Sequence, residues 1–129
     1  RLENDSTIRE GFYETDSDAT NRFFAQGDGS RMDPEAYRAL ILAEHGALNE
    51  AYPRRYKRFI VSGDDTHGAI QATAPSPSFP FPQPFLFYTQ QANGTLLSYW
   101  AAEFVRIGQR QSKYGWKDIV EDYEPVPVP

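Results

Sequence analysis

Phe59-Ile60-Val61 is the feature that most constrains what this chain can fold into. It is a short, unbroken run of β-favouring apolar residues, led in by Arg54 to Lys57 and closed by Ser62-Gly63-Asp64-Asp65, which is turn chemistry. An apolar run without alternation predicts a strand buried on both faces, as in a parallel sheet. Such a strand needs helical cover, and the preceding segment offers it. Asp33 is a good N-cap, Pro34 suits the first helical position, and Glu35 favours the positive end of the helix dipole. Tyr37, Leu40, Ile41, Leu48 and Tyr52 then recur at helical spacing, with Ala36, Ala39, Ala43 and Ala47 adding propensity. Pro53 stops the run, so the pattern predicts an amphipathic helix of about five turns.

The flanking segments are less regular. Residues 1–30 read as polar loop with one short helix around Asp18 to Gln26, anchored by Phe23 and Phe24. Residues 73–87 hold five prolines and four phenylalanines, a density that argues against helix and central strand. This segment is either a loop pinned onto the domain or a lid or patch facing substrate or partner. Asn93-Gly94 marks a tight turn, and Thr95 is the expected cap of a second helix. Its buried stripe would be Leu97, Trp100, Ala101, Phe104 and Ile107, with Gly108 or Gly115 at its end. Tyr114, Trp116 and Tyr123 remain as docking points of a tail that is Pro-rich at 124–129. The order is one α-β-α unit, and a single strand cannot make a sheet. The expectation is therefore an α/β chain whose sheet is completed by another chain or by a missing segment.

Composition narrows the function classes. At 129 residues the chain is one domain at most. A net charge of −5 and a pI near 5.0 argue against nucleic acid or an anionic membrane as partner. No apolar run approaches the roughly 18 residues that a membrane span needs. The chain has no cysteine, which excludes disulfides, a thiolate nucleophile and cysteine-ligated metal. It opens at Arg1 without an initiator methionine or signal peptide, so it reads as a processed piece or a fragment. Asn4-Asp5-Ser6 and Asn93-Gly94-Thr95 would accept N-glycans on a eukaryotic secretory route.

His67 is the first candidate for chemistry. It follows the predicted strand within Ser62-Gly63-Asp64-Asp65-Thr66-His67-Gly68, and open α/β sheets carry their working groups on loops at the carboxyl ends of strands. The plain alternative is a loop histidine that caps or packs. Asp16 and Asp18, in Tyr13-Glu14-Thr15-Asp16-Ser17-Asp18-Ala19-Thr20-Asn21, are the acid candidates. A triad hydrolase needs a carboxylate that holds the imidazole tautomer and stabilises the imidazolium. In the chain order serine, acid, histidine, the acid lies one helix and one strand ahead of the histidine, as Asp18 lies ahead of His67. The alternative is a solvated acidic loop, and Asp64 and Asp65 read as turn formers. No Gly-x-Ser-x-Gly occurs and Gly29-Ser30-Arg31 has no strand ahead of it, so the nucleophile is missing. A metal held by Asp64, Asp65 and His67 is a weaker alternative without a second ligand spacing, and His45 reads as a helix-surface or partly packed residue.

Taken together, Asp18-Ala19-Thr20-Asn21 followed by Phe23-Phe24, the long helix before Tyr52-Pro53, Arg58-Phe59-Ile60-Val61 leading to Thr66-His67, and Phe87-Tyr88-Thr89 with Asn93-Gly94 ahead of Trp100 carry a resemblance. From about Tyr13 to Ile107 the chain resembles the C-terminal part of pectinacetylesterase/Notum-like hydrolases, serine esterases related to the α/β-hydrolase fold. Asn21 departs from that family's usual Gln, and the Pro/Phe stretch looks longer than its equivalent loop. The resemblance implies that residues 1–129 are the C-terminal part of a single hydrolase domain, with Asp18 as triad acid and His67 as general base. It implies a nucleophilic serine on a second polypeptide, an ester substrate, a secreted or periplasmic setting, and neither cofactor nor metal. The rival expectation is a catalytically inactive, hydrolase-like binding or assembly module, with the aromatic residues as its interface.

Overall fold

Tyr56–Val61, the segment around the apolar run, is the middle strand of a three-stranded parallel sheet. The structure, a computed structural model, describes residues 1–64, 85–106 and 115–126. Its elements are β1 (Glu10–Thr15), α1 (Ala19–Gln26), α2 (Pro34–Ala51), β2 (Tyr56–Val61), α3 (Phe85–Thr89), β3 (Gln91–Ala92), β4 (Thr95–Leu96), α4 (Leu97–Arg106) and β5 (Ile119–Val120). The sheet order is β1-β2-β5, and β1 runs beside β2 in unbroken register from Glu10↔Tyr56 to Thr15↔Val61. The chain is thus of the α/β class with a small parallel sheet. Among the described residues no helix is long and apolar enough to cross a membrane.

Strand alternation divides the core into two layers. Phe59 and Val61 face one side, where Leu97 and Trp100 of α4 pack with Trp116 and Ile119. Ile60 faces the other, where Tyr37 and Ile41 of α2 cover it. Phe59 and Ile60 are both 0% exposed, so β2 is buried on both faces, and each such side chain contributes about 2 kcal/mol. The α2 helix forms as its spacing predicts: the Asp33 side chain accepts from Ala36 N, Pro34 opens the helix, and Tyr52 caps its end. Leu40 of the predicted stripe is instead exposed.

The larger departure is β1. Residues 10–15 read as polar loop but form a strand, because Phe12, Tyr13 and Thr15 suit a pleated edge once β2 supplies hydrogen bonds. Gly11 has a local reason: a Cβ there would lie 2.8 Å from the Trp100 ring, so the bare backbone admits the indole of α4. Trp100 Nε1 in turn donates to Lys117 O at 2.7 Å, and Trp116 is buried against the Trp100 and Phe104 rings. Trp116, one of the expected docking points, is thus part of the core, and Ile119–Val120 add the strand β5, which the sequence reading did not expect. Two smaller corrections concern helix starts. Thr95 lies in a two-stranded hairpin rather than at a cap, and α4 begins at Leu97. Residues Phe85–Thr89 are helical although the Pro/Phe segment argued against helix; α3 begins once the prolines end at Pro84.

Candidate active site

The carboxyl end of β1 opens into the densest group of buried polar side chains among the described residues. Glu14, Thr15, Asp16, Ser17 and Asp18 are all buried, the last four completely. Their environments follow from strand geometry. Glu14 and Asp16 are two residues apart and share the α2 side, whereas Tyr13 points to the opposite face and packs on Phe59.

Asp16 meets Arg38 of α2. The two form a buried ion pair, and Arg38 also donates to Glu121 O at 2.7 Å, binding β1, α2 and the segment after β5 together. Asp16 N donates to Val61 O at 2.8 Å and extends the ladder by one bond. Asp16 is thus committed to holding the sheet end, and of the two acid candidates it is the structural one.

Asp18 has left the strand and serves as N-cap of α1. Its Oδ1 accepts from Asn21 N at 2.8 Å, and Oδ2 accepts from Asn21 Nδ2 at 3.3 Å. Two bonds from one residue fix the plane of the carboxyl group. Each carboxylate oxygen can accept more than one hydrogen, so the cap does not exhaust its capacity.

Glu14 stands beside it. Its Oε1 accepts from Thr15 N at 3.0 Å; its Oε2 accepts from Asn21 Nδ2 at 2.5 Å and from the Tyr37 hydroxyl at 3.0 Å. Burial pushes the Glu14 carboxyl up to about 7, helped by its hydrogen bond to Asp18 and by the Asp18 charge, against the donors Asn21 and Tyr37. Among the described residues no ion pair involves Glu14. Tyr13 borders the same region. Its hydroxyl is buried without a hydrogen-bond partner, and burial with the negative charges of Asp64, Glu14 and Asp18 pushes it far above the ordinary phenol range.

No protein-family profile, curated protein or solved structure matches this chain. Its site is therefore read from geometry alone. The parallel register brings the exit of β2 next to Asp16–Asp18, and the first residues of that exit are well held. Ser62 N donates to Glu121 Oε1 and Asn93 N to Glu121 Oε2, both at 3.0 Å, so one carboxylate ties the β2 exit to the β3–β4 turn. Glu124 N donates to Ser62 Oγ at 2.6 Å, and Gly63 takes a φ of 74°, where a side chain would be strained and crowd Glu124. His67 itself lies outside the described residues, as do Asp65, Thr66 and most of the Pro/Phe segment. Among the described residues no three His, Asp or Glu are grouped to hold a metal ion, and of the Asp64, Asp65 and His67 set only Asp64 is described.

Three residues of this cluster escaped the sequence reading. Asn21 was noticed only as a departure from a family pattern, although an Asp followed three residues later by a side chain able to bond it back is a helix-start signature. Glu14 and Tyr37 had no signal of their own, since one sat in an apparent loop and the other in a helix stripe. Opposite them, on the α4 side, a hollow of about 360 Å³ lies between Thr95, Tyr99, Glu103 and Lys117; it shares no lining residue with the carboxyl cluster.

Proposed function

We propose that this chain is the C-terminal part of a carboxylic-ester hydrolase of the serine type, with Asp18 as the acid and His67 as the general base. The observation that carries the reading is the position of Asp18. It is a fully buried carboxyl with a fixed plane, three residues past the carboxyl end of β1 and beside the exit of β2; in sequence His67 follows six residues past the end of β2, beyond Gly63. Adjacent parallel strands that release an acid and a histidine at the same end give the arrangement an α/β-type triad needs.

In this reading the nucleophilic serine lies on a second polypeptide or segment that extends the sheet beyond β1, an edge strand among the described residues. The serine hydroxyl attacks the ester carbonyl while His67 takes its proton. Asp18 holds the imidazole tautomer and stabilises the imidazolium. His67 then returns the proton to the leaving alcohol, and water, activated by the same imidazole, clears the acyl-enzyme. The resemblance to pectinacetylesterase/Notum-like hydrolases agrees with this assignment and with a secreted or periplasmic setting.

A second reading has an observation of its own. No residue of α1 is buried, and Phe23 and Phe24, five and six residues after Asp18 on that helix, stand 42% and 72% exposed. An exposed aromatic pair is common at interfaces, so an inactive assembly module would use this same face. Labelling the native assembly with a fluorophosphonate separates the two. An adduct on a serine of a co-purifying segment, lost in His67→Ala, is expected; intact folded material that takes no label makes the module the better account.

A further inference from the structure

Four asparagines stand in the chain, and their surroundings set them apart. Asn21 and Asn49 belong to α1 and α2, and their side-chain amides are engaged: Asn21 Nδ2 donates to Glu14 and Asp18, and Asn49 Nδ2 to Tyr56 O at 2.7 Å. Asn4 is exposed, but Asp5 follows it, and a side chain there crowds any attack by the next backbone nitrogen. Asn93 alone is followed by glycine. With Gly94 it makes the two-residue turn of the β3–β4 hairpin, at φ of 49° and 80°, the left-handed pair that a type I′ turn requires. Both residues are exposed, and among the described residues the Asn93 side chain has no hydrogen-bond partner. Its backbone, by contrast, is in use. Asn93 N donates to Glu121 Oε2 while Ser62 N donates to Glu121 Oε1, so the turn and the β2 exit share one clamp.

We propose that Asn93 is a site of spontaneous deamidation, and that its isoaspartate product releases the Glu121 clamp on the exit of β2. The backbone nitrogen of Gly94 gives its proton to water or hydroxide and attacks Asn93 Cγ. An N–Cγ bond forms, the Cγ–Nδ2 bond breaks, and ammonia leaves a succinimide behind. Water then opens the ring, at Cγ to give aspartate or at the backbone carbonyl carbon to give isoaspartate. Nothing is oxidised or reduced: an amide and a water become a carboxylate and ammonium. Glycine at 94 matters because it carries no Cβ to obstruct the ring closure. The hairpin has two residues per strand, is marginal by itself, and opens readily enough for the ring to form. Isoaspartate routes the main chain through Cγ and adds a carbon to a turn built for two residues, which draws the Asn93 N–H away from Glu121. Aspartate keeps the turn, since Asp-Gly also suits type I′, and adds only an exposed charge that salt screens. The chemistry needs neither the serine nor a second polypeptide and holds whether or not the chain is an esterase.

The native protein is incubated at neutral and at alkaline pH, digested, and analysed by mass spectrometry with separation of the aspartate and isoaspartate forms. The peptide holding residue 93 is expected to gain one mass unit, faster at the higher pH, with isoaspartate the more abundant form; Asn93→Gln is expected to gain none. Amide hydrogen exchange at Ser62 is expected to be about tenfold or more faster in the isoaspartate fraction than in fresh protein, and within about twofold of it in Asn93→Asp. An Asn93 that stays intact under conditions that convert a free peptide of residues 90–97 overturns the site. Isoaspartate at 93 with unchanged exchange at Ser62 overturns the release of the clamp. Exchange at Ser62 as fast in Asn93→Asp as in the isoaspartate fraction overturns the lengthened backbone as its cause.

Discussion

The upward shift of the buried Glu14 carboxyl has a stability consequence that the isolated Glu14→Gln substitution exposes. The ordinary value for a glutamate, 4.5, rises to about 7 in the folded chain because burial and Asp18 disfavour the second charge. Between those two values the folded state binds a proton that the unfolded state has released. Stability is therefore highest below pH 4.5 as far as this group is concerned, and it falls as pH rises through 7. At about 1.4 kcal/mol per pH unit the full span amounts to roughly 3 kcal/mol, an upper bound because coupling to Asp18 shares the proton between two groups. His45 acts in the opposite sense. Burial holds its imidazole below the ordinary 6.5, as it stacks on Phe12 at 3.5 Å, so its contribution is present above pH 6.5 and is lost as pH falls. The two must be separated by difference. Urea unfolding followed by tryptophan fluorescence at pH 5, 6, 7 and 8, for wild type and Glu14→Gln, cancels the His45 term, which both share. The wild type is expected to lose about 2–3 kcal/mol more than the variant between pH 5 and 8. Parallel stability curves for the two proteins would refute the buried, proton-holding glutamate.

Three further outcomes follow from the packing. Arg38→Ala leaves Asp16 as an uncompensated buried charge and frees the Glu121 carbonyl, so a loss of about 3–5 kcal/mol is expected in thermal or urea unfolding; a loss under 1 kcal/mol would mean that water reaches Asp16. Gly11→Ala forces a methyl to within 2.8 Å of the Trp100 ring, and should cost about 1–3 kcal/mol with a shift in tryptophan emission; an unchanged midpoint would show that the indole simply moves aside. Asp18→Asn keeps a competent helix cap, since Asn caps as well as Asp, so unfolding should change by less than about 1 kcal/mol while ester hydrolysis is abolished; unfolding of the variant would show that the charge itself holds the fold.

The long helix and the central strand were legible because each carries a complete local signature: cap, period and stop for α2, an unbroken apolar run for β2. β1 was not. Its pattern, Phe12 and Glu14 toward α2 with Gly11 and Tyr13 toward α4, mixes polar and apolar residues on both faces, because the glutamate is buried in a polar cluster and the glycine in an aromatic contact. Neither is an apolar side chain, so periodicity could not register them. β5 failed for a different reason: two residues of strand, Ile119 and Val120, are fixed only by pairing with β2. The residues themselves offer Asp16 and Asp18 alike as acid candidates, and only the family resemblance singles out Asp18. What distinguishes them is long-range contact with α2, some 20 residues on, and no local pattern encodes that.

Those contacts also explain how three acids within five residues come to have three different states. β1 presents Glu14 and Asp16 to α2 at successive positions on one face, and α2 answers with Tyr37 and Arg38, adjacent residues at its first turns. The guanidinium meets the charge of Asp16 and turns it into a brace across the sheet end. The phenol offers Glu14 only a neutral donor, which is too little to hold a buried second charge beside Asp18. Asp18, past the strand, caps α1 and accepts from Asn21 N, a position where helix geometry favours a carboxylate. A cation in place of Tyr37 would ionise Glu14 and put two negative charges beside each other. The choice of a tyrosine and an arginine in that order on α2 thus decides which carboxyl braces the sheet end and which is pushed toward holding a proton.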